Sequence, residues 1–214
     1  MKLFLASQDF GNYGDKLSQM VGDNRRSLVV FNARDHKDDK GYEEQKELFA
    51  EYGLEFQELD LRDYFGKKGE LRQFVDEYQP GLVALLGGNT FLLRRALFQS
   101  GFDEILKHDV RSGKYVLAGH SAGAIVVGPS LKGFERMDKE KLVLPGYQSD
   151  IVWDGLGLTG MRVIPHADSP KYEAEVISLR QELFDKNQWD YVVLNDSDVF
   201  VVDNEGSKVY YGVN

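Results

Sequence analysis

The chain has 214 residues with 26 basic and 35 acidic side chains, a formal charge of −9, and no cysteine. Its length suits one domain with a buried core, and 42% hydrophobic with 29% charged residues is ordinary globular composition, which argues against disorder. The missing cysteine excludes a disulfide framework, a thiolate zinc site, an iron–sulfur cluster and a cysteine nucleophile, while the acidic balance argues against nucleic-acid and anionic-membrane partners.

The opening Met1–Ala6 stretch is too short for a secretory signal, and no run approaches the ~20 apolar residues of a bilayer span. A soluble, cytoplasmic protein of one domain over residues 1–214 is therefore expected, as a monomer or homodimer. Short apolar runs predict strands at Lys2–Ala6, Ser27–Asn32, Leu54–Glu58, Leu82–Leu86, Tyr115–Ala118 and Arg162–Pro165. Amphipathic patterns between them predict helices near Asp15–Val21, Tyr42–Tyr52, Leu71–Tyr78, Thr90–Phe98, Phe102–Lys107 and Ser121–Val127. Near-continuous apolar strands alternating with helices signal a mostly parallel sheet covered on both faces. The tail differs. After a Pro170–Phe184 helix come Tyr191–Leu194, Val199–Val202 and Lys208–Gly212, with Asp203-Asn204-Glu205-Gly206 reading as the turn of an antiparallel C-terminal hairpin. Loops are expected at His36–Gly41, Phe65–Gly69 and, unusually long, Pro129–Gly160.

The strongest chemical signal is Gly119-His120-Ser121-Ala122-Gly123, set between an apolar strand and a small-residue helix. A nucleophile elbow needs that context, because its tight turn tolerates only small neighbours and lifts the serine hydroxyl off the sheet. The plainer alternative is a strand–helix turn with Ser121 as a cap. A serine nucleophile needs a base, and the chain has four histidines. His36 and His108 lie in charged stretches, and His120 adjoins the serine, where it would line the pocket. His166 follows Met161–Pro165 and so sits just past the carboxyl end of a strand, the edge where parallel sheets carry their sites. A carboxylate must then orient the imidazole. Between elbow and histidine, Glu135, Asp138, Glu140, Asp150 and Asp154 are candidates, and pattern does not choose among them. Gly87-Gly88-Asn89-Thr90 ends a strand and opens a helix, so its glycines could approach a ligand and Asn89 could offer its amide or simply cap the helix. Gly155-Leu156-Gly157-Leu158-Thr159-Gly160 matches a dinucleotide fingerprint, but it runs into a strand rather than opening a helix, and is rejected. His166 with Asp168, and Asp196 with Asp198, do not make three-ligand metal sets.

Taken together, Leu86-Gly87-Gly88-Asn89-Thr90-Phe91, Gly119–Ala124, Pro165-His166 and Asp196-Ser197-Asp198 before a hairpin resemble the aspartyl dipeptidase (dipeptidase E) and cyanophycinase family of serine peptidases. The opening Met1–Ser7 strand is also similar. The resemblance implies a fold like the class I glutamine amidotransferases (flavodoxin-like), with Ser121 as nucleophile, His166 as base and no cofactor or metal. The family's acid lies about fifteen residues beyond the serine, which implies Glu135, with Asp138 in reserve. It further implies that the amides of Gly88 and Ala122 hold an oxyanion, with Asn89 and His120 at the substrate, a small peptide. The stretch Ala167–Glu175 lacks the glycine- and arginine-containing pattern associated with an N-terminal aspartate, so side-chain preference stays open. Two alternatives remain. An α/β-hydrolase esterase shares the elbow, although its histidine would follow by only 45 residues and no HGGG-type motif appears. A catalytically silent binding module could also keep the fold.

Overall fold

The computed structural model describes residues 1–212. Its centre is a seven-stranded sheet of order β3-β2-β4-β5-β1-β8-β9. Strands β1 (Leu3–Ala6), β2 (Ser27–Val30), β3 (Gln57–Glu58), β4 (Leu82–Leu85) and β5 (Val116–His120) run parallel, and β8 (Val199–Asp203) and β9 (Gly206–Tyr210) close one edge antiparallel. The expected mostly parallel sheet with an antiparallel C-terminal hairpin is the observed architecture.

Alternation along the strands explains why both faces are covered. Leu3, Leu5, Leu28, Val30, Val83 and Leu85 point into one core with helices α3 (Lys68–Tyr78), α4 (Thr90–Ser100), α5 (Phe102–Arg111) and α6 (Ala122–Ile125). Phe4, Ala6, Val29, Leu82, Ala84 and Ala118 point the other way, onto α1 (Gly14–Val21) and α2 (Tyr42–Glu51). Each such leucine is fully buried, so truncating one to alanine would cost about 2–5 kcal/mol.

Two strands depart from the expected sheet. β6 (Arg162–Ile164) and β7 (Tyr191–Val193) pair with each other in parallel and form a separate two-stranded sheet. They pack through Ile164 onto a third cluster with Ile125, Phe134, Val176, Leu179 and Phe184. The predicted Pro170–Phe184 helix begins later, as α7 (Glu173–Ile177), passes through a π-helical turn at Ser178–Phe184 and ends in α8 (Asp185–Asn187).

Residues 129–160 form the long connection that the glycines and prolines suggested, with one 3₁₀ turn at Phe134–Arg136 and a bridge between Ser130 and Asp154. What orders it is a buried cation. Arg95, wholly inside the protein on α4, donates to the carbonyls of Glu140, Leu142, Ser149 and Asp150. Arg94 adds a bond to the Asp154 carbonyl and an ion pair with Asp103. A guanidinium can satisfy several loop carbonyls at once, which a loop lacking ladder partners requires.

Candidate active site

The elbow follows from close packing. A side chain at Gly119 would put its Cβ 2.4 Å from the Gly123 carbonyl oxygen, and one at Gly123 would sit 1.9 Å from that of Leu85. Only hydrogen fits at either position, so β5, α6 and β4 can approach closely enough to form the turn. Ser121 itself takes φ 51°, a left-handed conformation that L residues rarely adopt, and its N–H donates to the Ala6 carbonyl at 3.1 Å.

His166 lies two residues beyond β6 and also has a positive φ, 61°. Its Nε2 is 2.9 Å from Ser121 Oγ, and its Nδ1 is 2.6 Å from Asp196 Oδ1. Tyr172 stacks on the imidazole with centroids 5.0 Å apart and planes at 23°. The structure thus joins Ser121, His166 and Asp196 in one hydrogen-bonded chain.

The carboxylate on His166 differs from the expected Glu135. Glu135 is exposed on the 3₁₀ turn, and its Oε2 accepts the Gly133 N–H at 2.6 Å, an interaction of its own loop. Asp138, the reserve, accepts from the Thr90 amide at 2.9 Å and the Thr90 hydroxyl at 2.5 Å. Burial pushes its carboxyl up, against the pull of the two Thr90 bonds and of the charges on His36 and His166. It therefore borders the site without orienting the histidine. Asp196 was visible as a motif, but a search confined to residues between serine and histidine passes over it. The signal that finds it is strand pairing. Ile164 is in register with Val193, and the Leu194 N–H donates to the Ile164 carbonyl, so the residues just past β6 and β7 meet side by side.

The remaining candidates sort by their contacts. Gly87 abuts the nucleophile, since a Cβ there would lie 2.9 Å from Ser121 Cβ. Gly88, at φ 152°, passes so near Ala33 that a Cβ would fall 2.3 Å from its carbonyl oxygen. The Gly87 contact sets this backbone beside Ser121, and the Ala122 amide follows the serine directly. Asn89 is committed elsewhere. Its side-chain oxygen caps α4 at the Leu92 N–H, 2.9 Å, and its amide donates to the Lys139 carbonyl at 3.1 Å. The cap uses the acceptor and the loop uses the donor, so Asn89 shapes the site rather than reaching into it.

His120 is likewise a correction to the pocket expectation. Strand alternation turns it away from Ser121 and into the core, where it is 6% exposed and its Nδ1 accepts the Asp9 N–H at 2.7 Å. That bond puts the imidazole proton on Nε2, which has no hydrogen-bond partner among the described residues, and the residue borders a small gap lined also by Phe4, Phe10 and Leu86. Burial brings its pKa down to about 4, with Arg34 and His166 pushing the same way and Asp9 opposing. A histidine so disposed is neutral near pH 7. Among the described residues, no group of three or more His, Asp or Glu side chains is arranged to hold a metal ion, and no helix is long and apolar enough to cross a membrane. Gly155–Gly160 is irregular loop leading into β6.

Residues 4–210 match the description of peptidase family S51. An uncharacterized peptidase of Listeria monocytogenes serovar 1/2a is 26% identical over 158 residues, covering 73% of this chain and 71% of its own. An uncharacterized peptidase of Pasteurella multocida is 27% identical over 171 residues, covering 77% and 76%. In fold, the chain resembles a candidate peptidase E from Listeria monocytogenes EGD-e, with TM-score 0.73, 20% identity and coverage of 99% and 98%. A peptidase from an acI-B1 Actinobacterium gives TM-score 0.62 at 16% identity, covering 99% and 87%. With the match running through β1 to β9 and taking in the elbow, the chain belongs to peptidase family S51, a family of serine peptidases.

Proposed function

We propose that this peptidase cleaves dipeptides or short peptides through an acyl-enzyme on Ser121. The observation that carries the reading is the unbroken chain Ser121 Oγ–His166 Nε2 and His166 Nδ1–Asp196 Oδ1, at 2.9 and 2.6 Å. In the first step Oγ attacks the scissile carbonyl carbon while its proton passes to Nε2. Asp196 holds the Nδ1 proton, which keeps Nε2 free to accept, and stabilises the imidazolium that forms. The Gly88 and Ala122 amides receive the developing oxyanion. The tetrahedral adduct collapses as Nε2 returns the proton to the departing amine. Water then attacks the ester by the same route, and Ser121 is released as the acid product leaves.

The order Ser121, His166, Asp196 differs from the Ser…acid…His order of α/β-hydrolases, which weighs against the esterase reading. A dipeptide library comparing Asp-Xaa with neutral Xaa-Xaa substrates, run beside p-nitrophenyl esters, tests the proposal. Peptide turnover should appear and fall by roughly 10⁴-fold or more in Ser121→Ala. Ester turnover without peptide cleavage would refute it, and a wild type inert to peptides and to fluorophosphonate probes would favour the silent module.

A further inference from the structure

The end of β1 touches every member of the hydrogen-bonded chain. Ala6 accepts the Ser121 N–H through its carbonyl at 3.1 Å. The next residue, Ser7, is fully buried, and its Oγ accepts the His166 N–H at 2.7 Å and donates to Asp196 Oδ1 at 2.8 Å. The direction of these bonds is forced. A backbone N–H can only donate, so Ser7 accepts from His166, and its one proton is left for the carboxylate, which accepts only. Asp196 Oδ1 therefore receives two donors, the His166 ring and the Ser7 hydroxyl. The loop around it is tied separately. Asp168 accepts the Asp196 N–H at 2.9 Å, and the Asp198 carboxylate accepts the N–H groups of Asn195 and Gly212.

This placement follows from topology. β1 lies between β5, which ends in the elbow, and β8, which starts just after Asp196. Ser7 is the residue at which β1 emerges between the two. Ser121, His166 and Asp196 arrive from three different connections; the first two have positive φ and the third lies in a turn. Something must set the histidine against the acid, and Ser7 Oγ bonds to the backbone of one and the side chain of the other.

We infer that Ser7 is a positioning residue for this centre, fixing His166 and Asp196 in register with Ser121. The inference rests on the serine-hydrolase reading above. Ser7 has no part in bond making; it acts through the histidine and the acid. Its hydroxyl also draws on the Asp196 negative charge, which His166 would otherwise feel more fully. Removing it should loosen the ring and, by leaving the carboxylate less dispersed, favour the imidazolium. The other charged or titratable groups around the pair are His120, Asp138, Asp168, Lys171, Tyr172 and Asp198. All are unchanged by a substitution at Ser7.

The test needs no known substrate. With a fluorophosphonate probe, Ser121 Oγ bonds to phosphorus as its proton moves to His166, the P–F bond breaks and fluoride leaves to solvent, so the labelling rate reads the same centre. With the full chain and thermal midpoints recorded for each variant, Ser7→Ala should react roughly 10- to 100-fold more slowly, the scale of an ångström-sized misplacement. The acid limb of its pH–rate profile should move to higher pH. Ser7→Cys keeps a side-chain donor, weaker and on a larger atom, and should fall between wild type and Ser7→Ala in both rate and limb. The inference is overturned if Ser7→Ala matches wild type in rate and pH profile. It is equally overturned if both variants are slow by the same factor with the limb unmoved, which is the mark of packing alone. If Ser7→Ala does not fold, the Ser7→Cys limb decides. An inert wild type would instead refute the hydrolase reading itself, so the two failures are distinguishable.

Discussion

At the amino ends of the strands, Arg72, Asp76, Asp109 and Lys114 close on one another. Asp109, with no side-chain exposure, is held by Arg72 at 2.6 Å, Lys114 at 3.2 Å and His108 at 2.8 Å. These hydrogen bonds hold the Asp109 carboxyl below its usual range against the opposing push of burial. At the carboxyl ends of the same strands, Ser121, His166 and Asp196 form a chain rather than a ring. One end is anchored through Asp196 and Ser7; the other is a serine hydroxyl that, among the described residues, bonds only to His166. Both regions gather ionisable groups, yet in the second a serine–histidine bond gives a proton a path to move, and there two of the bonded residues themselves, Ser121 and His166, have positive φ. Charge clustering alone does not distinguish the two regions; the function proposed above rests on the unfinished hydrogen-bond chain on a strained support.

The contrast can be broken most sharply at the acid. Asp196→Asn should lower turnover by roughly 10³–10⁴-fold, because an amide favours the wrong imidazole tautomer. Glu135→Gln, which disturbs only the Gly133 turn, should leave turnover close to wild type. The reverse pattern in steady-state kinetics would return the acid role to Glu135.

Next in size is a pH effect on stability rather than rate. His120 is held at about 4 in the fold, largely by burial, against 6.5 for an unperturbed imidazole. Below pH 6.5 the unfolded chain takes up a proton that the folded protein refuses. Stability is therefore full above pH 6.5 and declines as pH falls toward 4, by about 3 kcal/mol over that window. Denaturant titrations between pH 7 and 4 should show this decline. His120→Asn, whose Oδ1 can accept the Asp9 N–H in place of Nδ1, should flatten it.

The smallest effect sharpens the comparison from the other side. Asp109→Asn should cost about 1–3 kcal/mol, since it removes a buried charge on which Arg72 and Lys114 converge. Turnover per folded molecule should stay unchanged. Lost activity in a folded Asp109→Asn variant would show that the amino-end cluster communicates with the site.

Much of the architecture was legible because it is locally encoded. Apolar runs such as Leu82–Leu86 are buried on both faces, so they read as central parallel strands wherever they fall in the chain. The elbow was legible for a similar reason, since Gly119 and Gly123 are demanded by contacts within a few residues and with the neighbouring strand. His166 was found from its position just past a strand. Arg94 and Arg95 were not legible. On a helix they look like polar-face residues, and only the 129–160 loop folding over them turns them inward.

Near-neighbour sterics and hydrophobic periodicity, written in the amino-acid order, settle the parallel sheet, the serine elbow and the edge on which the histidine lies. The partner of that histidine depends on something the order does not state. The pairing of β6 with β7 brings residues 30 apart to hydrogen-bond distance, and the placement of β1 between β5 and β8 sets Ser7 against both His166 and Asp196. Long-range strand pairing is a choice among many sterically allowed partners, so the carboxylate on the histidine and the serine behind it emerge only when the whole chain has folded.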